Sequence, residues 1–466
     1  MNSKRYLTNG YTISNNSYET RLNNNDLVCG ATGCGKTRGY VIPNLRMAEQ
    51  SMIVCDTKGV LYGEYAQELR QKGYEVLNID FVSESSPCGY NPFRYIRKNT
   101  QTGLYREDDI YRVASVLCPV EHKDDVFWEQ AAKMFLAALI AYTLEALPEE
   151  YHTFETVRKL SVIMGQEREQ AAIVHEADKY LRSRVQKEYM VKFRKVTDRT
   201  DENGKDVYLM SQAEIADVLG EHRRQPYTYR HMIDELKERN PDSIAVKIYN
   251  TFKATANAEK MYASILGIIA EKLAFVVGNE QVALYRHKKQ IDFEEFGKRK
   301  MMLFLTVSDS DRTKDVLVNM LYSQALSTLM QCADQNPKHR LEMPVRLILD
   351  DFAAGAVIPD FDNIISVIRS REISVSVIIQ SVTQLYDKYG VYKAATILNN
   401  CDHMIYLGGQ DLDTAEYVAR RTNKTLSSII EQPLNATYLL ERGRKAVYLP
   451  GEDVITMQKG GMSYEK

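Results

Sequence analysis

The stretch that decides the fold is DLVCGATGCGKT, residues 26–37. Its residues 30–37 match the pattern G-x-x-x-x-G-K-[ST], in which glycines let backbone N–H groups wrap around phosphate groups. Residues 26–29 are mainly apolar and predict a buried strand, and the residues after 37 are predicted to form a helix. The positive N-terminal end of such a helix points at the bound anion. The sequence therefore predicts a P-loop, a site for the phosphates of a nucleotide.

The loop supplies the predicted nucleotide ligands. Lys36 is expected to reach the β- and γ-phosphates, and the hydroxyl of Thr37 is expected to bind Mg²⁺. The predicted cofactor-binding residues are Gly30, Ala31, Thr32, Gly33, Cys34, Gly35, Lys36 and Thr37.

Predicted strands alternate with predicted helices on both sides of a long middle segment. This alternation is typical of a parallel sheet with helices on both faces. A terminal hairpin is also predicted around Gly443, from the pattern ATYLLERGRKAVYL. The strands are predicted at residues 26–29, 51–56, 74–80, 301–307, 345–350, 373–379 and 403–407.

The middle segment has a different pattern. From about residue 104 to about residue 261 the apolar positions recur at helical spacing, and no convincing strand is present. The sequence therefore predicts an α/β fold with a mainly parallel sheet, interrupted by an inserted all-alpha domain. The predicted parts are residues 1–104 and 263–466 for the nucleotide-binding domain and residues 105–262 for the all-alpha domain.

A second acidic site is predicted at RLILDD, residues 346–351, where an apolar strand ends in two carboxylates. Asp350 is expected to hold Mg²⁺ through water, and Asp351 to orient or deprotonate the attacking water. Gln380 and Ser381 close the next strand, where a polar side chain is placed to sense the γ-phosphate. Both pairs have a simpler interpretation, as polar residues that end a strand.

Two arginines precede that next strand. Arg369 and Arg371 lie in the segment IRSREI. An arginine at such a position is usually a solvated helix end. In a ring of ATPases, however, it can reach the nucleotide of the neighbouring subunit.

Composition and incomplete motifs exclude several other classes. With 60 basic and 62 acidic side chains, bulk charge cannot attract nucleic acid, so a polyanion site needs a local basic patch or an assembled ring. The seven cysteines are scattered, without the spacing of zinc ligands or of a disulfide framework. DTKG at residues 56–59 imitates a GTPase motif, but NKTL at 423–426 lacks the aspartate that reads guanine. A small-metabolite kinase would be shorter.

Several sequence blocks together resemble the type IV coupling proteins of conjugation and type IV secretion systems (the TraG/TraD group). They occur in the order of that family from about residue 26 to residue 450 and lie on both sides of the insertion. The blocks are GATGCGKTRGYVIPNL, SMIVCDTKGVLYGEYAQELRQKGYEVLNID, CGYNPF, DVFWEQAAKMFLAAL, LILDDFAAGAVIPDFDNIISVIRSREISVSVIIQSVTQLYDKYG and LGGQDLDTAEYVARRTNKT.

The resemblance implies a RecA-like ATPase that assembles as a hexameric ring, uses ATP and Mg²⁺, and carries an all-alpha domain. Its implied partners are a relaxase with single-stranded DNA, or protein substrates, and other type IV secretion components. By position, Lys36 takes the P-loop role, Asp350 the Mg²⁺ role and Asp351 that of the catalytic carboxylate. Gln380 matches the strand-end glutamine of the family, and Arg369 the arginine that completes the neighbouring subunit's site.

Three departures from the family pattern qualify these expectations. The family usually has Asp-Glu where this chain has Asp350 and Asp351, so its hydrolysis is expected to be slow. The family's D-P-K-G-E becomes DTKGV at residues 56–60. Family members usually begin with transmembrane helices, whereas about 25 residues precede the P-loop strand here. We expect this chain to be soluble. Either the full-length protein has a further anchor that holds it at the cytoplasmic face of the bacterial membrane, or the chain is a naturally anchorless homologue.

The sequence leaves the DNA contacts open. Basic and aromatic residues are interleaved at residues 187–195 and 223–231, where they either track a single strand or form solvated helix faces. The main alternative function is a substrate-receptor module that binds ATP structurally and docks a partner protein. A motor is expected to hydrolyse ATP faster with DNA, and a docking module is not.

Overall fold

The structure is a computed structural model, and it divides into two compact units. The first comprises residues 1–90 and 287–466, and the second comprises residues 91–286. Only the backbone is described for residues 166–167, 226–227, 229–232, 255 and 259–263. The residues described are 3–83, 86–119, 126–161, 166–167, 226–227, 229–255, 259–308, 310–352, 358–433 and 436–450.

The strands form one large sheet and two small ones. The order in the large sheet is β13-β12-β11-β3-β10-β9-β4-β8-β5. The strands are β1 Lys4–Thr8, β2 Tyr11–Ser14, β3 Asp26–Cys29, β4 Ser51–Asp56, β5 Glu75–Asp80, β6 Gln166–Glu167, β7 Pro226–Tyr227, β8 Met301–Thr306, β9 Val345–Leu349, β10 Ile373–Ile379, β11 His403–Tyr406, β12 Thr437–Glu441 and β13 Val447–Leu449.

The large sheet is parallel from β11 to β5, and β12 and β13 add an antiparallel edge. Every residue of β3, β4 and β10 is buried, as expected for parallel strands that are covered on both faces. The P-loop strand β3 lies between β10 and β11, which come from the far end of the chain. The prediction of a mainly parallel α/β fold is therefore confirmed.

Outside the second unit, the described helices alternate with the strands along the chain. Short 3₁₀ turns lie at Pro92–Tyr95, Glu149–Tyr151, Glu294–Gly297 and Arg369–Arg371. The α-helices are α1 Ser17–Thr20, α2 Ile42–Arg46, α3 Val60–Gln71, α4 Glu107–Leu117, α5 Val126–Ala146, α6 Phe154–Ser161, α7 Tyr229–Arg239, α8 Ile244–Thr255, α9 Glu259–Ala274, α10 Asn279–Arg286, α11 Asp315–Gln335, α12 Phe361–Val367, α13 Val382–Asn399, α14 Leu412–Thr422 and α15 Leu426–Ile430.

The helix after the P-loop is irregular. It opens with a π-turn at Thr37–Val41, in which the N–H of Ile42 donates to the carbonyl of Thr37, and continues as α2. Pro43 has no N–H, so it cannot make the α-helical hydrogen bond of its position, and irregular turns are common where that bond is lost. The sequence predicted a helix after residue 37, and the structure shows one that ends at Arg46.

The second unit is built around α5, which is apolar on nearly all sides and packs against α4, α6, α8 and α9. The ring of Phe135 stacks on Phe252 with centroids 4.8 Å apart. At the end of α5, the carboxylate of Glu145 accepts the N–H groups of Ile244 and Ala245 and so caps α8.

The observed boundaries of this unit differ from the predicted 105 and 262. The ring of Phe154 contacts Phe93 at 5.1 Å and Tyr285 at 6.0 Å between centroids, so the 3₁₀ turn at Pro92–Tyr95 and helix α10 belong to the helical core. No strand was expected in this segment, but the structure has a short pair, in which β6 is antiparallel to β7. Two residues per strand are too few to show an alternating pattern.

An unpredicted hairpin, β1–β2, precedes the large sheet. It turns at Asn9 and Gly10, which both have positive φ, a combination that favours a tight hairpin. Two side chains tie β1 to the nucleotide-binding domain. The amide of Asn44 on α2 accepts from the N–H of Tyr6 and donates to its carbonyl, at 3.0 and 2.8 Å. Arg5 reaches the first residue of β3.

Arg5 enters a buried ionic network around Asp26. Its Nε lies 2.9 Å from the carboxylate of Asp26, which also accepts from Arg346 at 3.1 Å and from the hydroxyl of Tyr40 at 2.6 Å. Arg5 also contacts Nδ1 of His403 at 3.0 Å. All five side chains are at most 2% exposed. The network joins the hairpin, the helix after the P-loop and strands β3, β9 and β11.

Asp26→Asn is expected to lower the free energy of unfolding by about 3–5 kcal/mol at pH 7, because it leaves buried guanidinium charge without its counter-ion. Burial raises the pKa of Asp26, but Arg5, a hydrogen bond with His403 and Arg346 outweigh it and hold the pKa well below its usual range. The unfolded value is about 3.9. The stabilisation is therefore complete above about pH 5 and is lost as pH falls through the folded pKa.

Urea unfolding is monitored through hydrogen exchange of the β3 amides at pH 7 and at pH 3. The two pH values measure the loss of stability in the variant and its dependence on pH. Asp387→Asn on the exposed surface is the matched control, and it should change stability by less than about 0.5 kcal/mol. Equal stabilities of the two variants would show that the network contributes nothing.

Candidate nucleotide-binding site

Three predicted site segments lie together at the carboxyl edge of the sheet. Cys29, the last residue of β3, is paired with Ile379, the last residue of β10. The N–H of Gly30 donates to the carbonyl of Ile379 at 3.2 Å, so the P-loop begins directly beside Gln380. Strand β9 is the other neighbour of β10, and Asp350 follows it directly. The edge of an open parallel sheet is where α/β folds bind ligands.

Steric demands explain two features of the P-loop. A Cβ on Gly30 would lie 2.6 Å from Sγ of Cys34 and 2.9 Å from Cβ of Leu407, so only glycine fits. Gly33 and Gly35 have φ of 82° and 89°, in the left-handed region that side chains disfavour. The loop also leans on the segment after β11, because the N–H of Ala31 donates to the carbonyl of Gly408 at 3.0 Å. No motif or periodic pattern predicted this support.

Lys36 is held over its own loop. Its Nζ donates to the carbonyl oxygens of Gly30 at 2.8 Å and Ala31 at 3.1 Å. An ammonium carries three donors, so one remains for a phosphate oxygen. These contacts fix the charge at the position where the motif requires it, beside the start of the helix at Thr37.

Asp350 is a half-buried carboxylate whose charge interacts with that of Lys36. Burial, together with the neighbouring charge of Asp351, raises the pKa of Asp350 to about 6, while the N–H of Asp351 and the charge of Lys36 act in the opposite direction. A carboxylate whose charge burial penalises gains most from an adjacent cation. With the hydroxyl of Thr37, it offers the oxygen ligands that Mg²⁺ prefers.

Asp351 is held by an arginine that the sequence analysis did not consider. Its Oδ2 accepts from Nη2 of Arg312 at 3.1 Å, and its φ is 50°. The next residue, Phe352, donates its N–H to the carbonyl of Ile378 at 3.1 Å. Arg312 precedes α11, 39 positions away in a polar stretch, so no periodic pattern indicated it.

Gln380 lies between the P-loop strand and helix α13. Its N–H donates to Oε1 of Gln384 at 3.0 Å, and its carbonyl accepts from Sγ of Cys29 at 3.8 Å. The hydroxyl of Ser381 shares a 2.6 Å hydrogen bond with Thr383, away from the loop carbonyls that hold Lys36. The structure therefore places Gln380 at the predicted edge, while its role as a γ-phosphate sensor stays a prediction.

Arg369 lies at the opposite edge of the sheet from the P-loop. Arg369 is exposed and lies shortly before Ile373, the first residue of β10. Its Nη2 donates to the carbonyl of Ser17 at 3.2 Å. Strand β10 has seven residues, so about 20 Å separates its first residue from its last. Arg371 instead forms a two-fold ion pair with Asp334, at 2.8 and 3.2 Å. Arg369 is therefore outside the nucleotide site of its own chain.

Two predicted features lie largely outside the described residues. The basic and aromatic cluster at 187–195 is not described, and only parts of the backbone of 223–231 are. Within the described ranges, no group of three His, Cys, Asp or Glu side chains is arranged to hold a metal. Among the described helices, none has the length and apolarity needed to cross a bilayer.

The parallel sheet, the P-loop on β3 and the acidic end of β9 define a RecA-like P-loop nucleotide-binding domain. The chain belongs to the family described as "Type IV secretory system Conjugative DNA transfer", whose model matches residues 3–428. This confirms the resemblance to type IV coupling proteins. No curated protein sequence matches the chain.

Solved structures of the conjugative coupling protein TrwB share this fold. The unbound form of TrwBdeltaN70 is 14% identical, with a TM-score of 0.63 over 97% of this chain and 89% of that one. TrwB with the ATP analogue ADPNP is 14% identical, with a TM-score of 0.63 over 97% and 90%. TrwB with ADP and Mg²⁺ is 15% identical, with a TM-score of 0.61 over 97% and 90%.

Proposed function

We propose that this protein is an ATP-hydrolysing coupling protein. It recruits DNA, as a relaxase–single-stranded DNA complex, or protein substrates, and helps drive them into a type IV secretion channel. The observation that carries this proposal is the position of Lys36 and Asp350 at one edge of the sheet, in a chain of the conjugative DNA-transfer family. A lysine on the phosphates and a carboxylate for the metal are the two charges that phosphoryl transfer requires.

ATP and Mg²⁺ are the proposed cofactors. The similar protein TrwB has been solved with an ATP analogue and with ADP and Mg²⁺. In this chain, Thr37 and Asp350 would hold the metal, which supplies positive charge to the phosphates when bound. Asp351 orients the attacking water and takes its proton, and Gln380 senses the γ-phosphate from the end of β10.

The proposed partners follow from the family. We infer a hexameric ring, in which Arg369 completes the site of the neighbouring subunit, together with a relaxase, single-stranded DNA and other secretion components. The proposed location is the cytoplasmic face of the bacterial membrane, through an N-terminal anchor. A central channel would bind DNA through general phosphate and base contacts, because a motor that moves along a strand cannot depend on sequence.

The test is the ATPase rate as a function of protein concentration, with and without single-stranded DNA. A motor that assembles should show a rate per subunit that rises with concentration and rises again with DNA. Its DNA affinity should fall steeply between about 50 and 200 mM salt, because bound phosphates release counterions. Lys36→Ala is the negative control and should lose turnover in every condition. A rate that ignores DNA would favour the substrate-receptor alternative, and no ATP binding would exclude both.

A further inference from the structure

We propose that Arg312 is a positioning residue for ATP hydrolysis, which holds the carboxylate of Asp351 in place and is itself braced by Asp315. The proposal rests on the proposed function, because it assigns a role within the same site. It adds a residue from a third segment, the loop between β8 and α11.

The guanidinium of Arg312 joins two carboxylates from different elements. Nη2 lies 3.1 Å from Oδ2 of Asp351, which follows strand β9. Nη1 lies 3.5 Å from Oδ2 of Asp315, the first residue of α11. The contact with Asp351 is a hydrogen bond, whereas Asp315 attracts the guanidinium by charge without a hydrogen bond. Because the guanidinium is planar and rigid, the attraction of Asp315 for one arm limits where the other arm can hold Asp351. The Arg312 side chain is 31% exposed, which leaves it at the mouth of the site rather than in the core.

The brace is itself well fixed. Asp315 is 7% exposed and begins a helix of 21 residues, so its position is set by the packing of α11. Its N–H donates to the carbonyl of Arg312 at 3.1 Å, which closes the turn between the two residues. Asp311 holds the same turn from the other side, because it accepts from the N–H and the hydroxyl of Thr313 at 2.9 and 2.6 Å. Arg312 is therefore presented by an ordered segment.

Both the backbone and the carboxylate of Asp351 need to be held in place. Its backbone lies in the left-handed region, which costs a residue other than glycine about 1 kcal/mol or more. Phe352 anchors the chain after it, by its hydrogen bond to Ile378 and by stacking on Tyr389 with centroids 5.6 Å apart. The backbone is thus fixed by Phe352, and the direction of the carboxylate is fixed by Arg312.

The charges around the site support the same role. The charge of Asp351 acts on both Asp315 and Asp350 and contributes to the raised pKa of each. Burial raises the pKa of Asp315 to about 6 even though Arg312 opposes the shift. The charge of Lys36 lowers the pKa of Asp350 and that of Lys388 lowers the pKa of Asp315, so each acid also interacts with a basic group. Loss of Arg312 would leave Asp351 beside two like charges and free to turn away.

The test compares Arg312→Ala, Arg312→Lys and wild type in the full chain, by steady-state ATPase and by the affinity for the analogue ADPNP. We expect Arg312→Ala to lower kcat by about 10²-fold, the cost of a small misplacement of a reacting group, with unchanged ADPNP affinity. Lysine in Arg312→Lys keeps one charged contact but lacks the two arms of the guanidinium. Its kcat should therefore lie between those of Arg312→Ala and wild type. Arg420→Ala, an arginine 82% exposed on α14, is the matched control and should keep wild-type kcat.

A double-mutant cycle separates positioning from a structural role. If Arg312 acts through Asp351, adding Arg312→Ala to Asp351→Asn should lower kcat by less than about three-fold. Additive losses, a lost ADPNP affinity, or a basal rate above wild type would each overturn the proposal. Wild-type protein without ATPase activity would refute the proposed function and this inference together, whereas an active wild type with an equally active Arg312→Ala would refute the inference alone.

Discussion

Asp351→Asn is expected to lower ATP turnover by about 10²–10⁴-fold while ATP binding stays near normal, the range attributed to a general base. Asparagine cannot accept a proton, and it also loses the charge that pairs with Arg312 at 3.1 Å. Because Asp351 is proposed to act on water rather than on the phosphates, the effect should fall on kcat and not on the affinity for ADPNP.

Asp351→Glu is the informative companion to this variant. Glutamate restores the reach that family members usually have at this position, so the variant should keep or raise turnover. The two variants are compared by single-turnover hydrolysis at saturating ATP. Normal hydrolysis by the asparagine variant would remove Asp351 from the catalytic role, whatever the glutamate variant does.

The sequence was most informative where local chemistry and chain periodicity coincide. The P-loop between β3 and its helix could be predicted because its glycines, lysine and threonine are contiguous, and the structure shows a steric or conformational reason for Gly30, Gly33 and Gly35. The acidic end of β9 could be predicted because five buried residues, four of them apolar, precede Asp350. Parallel pairing then places both segments at one edge.

The sequence was least informative where contacts join distant polar segments. Arg312 lies in the run SDSDRTKD, whose composition predicts an exposed turn, and its pairing with Asp351 depends on how β8 and β9 flank β4. The network around Asp26 was equally hard to predict, because Arg5 and Arg346 are buried whereas charged residues are normally exposed. Such contacts follow from the tertiary arrangement and leave no local periodic signal.

Arg369 illustrates how a residue role predicted from family position depends on assembly. The structure places it at the amino end of β10, where it is exposed and contacts the carbonyl of Ser17, about 20 Å from the end of β10 that precedes Gln380. From there it cannot contact a nucleotide at Lys36 of the same chain. If Arg369 takes part in hydrolysis, it does so from a neighbouring subunit.

Arg369→Ala should therefore bind ATP almost normally and hydrolyse it about 10³–10⁵-fold more slowly, the range for an arginine that stabilises charge on the γ-phosphate. An action between subunits permits a mixing test. In a ring assembled at random from equal amounts of Lys36→Ala and Arg369→Ala subunits, about a quarter of the interfaces join an intact P-loop to an intact arginine. Measured turnover should recover toward that fraction of wild type, although each variant alone is inactive.

Arg371→Ala is the matched control for the mixing test, because Arg371 is two positions away and already paired with Asp334 in its own chain. It should leave turnover near wild type. Wild-type turnover by Arg369→Ala would end the assignment of Arg369. An inactive Arg369→Ala that mixing fails to rescue would instead show that the arginine does not act across a subunit boundary, and an inactive Arg371→Ala would move the role to that residue.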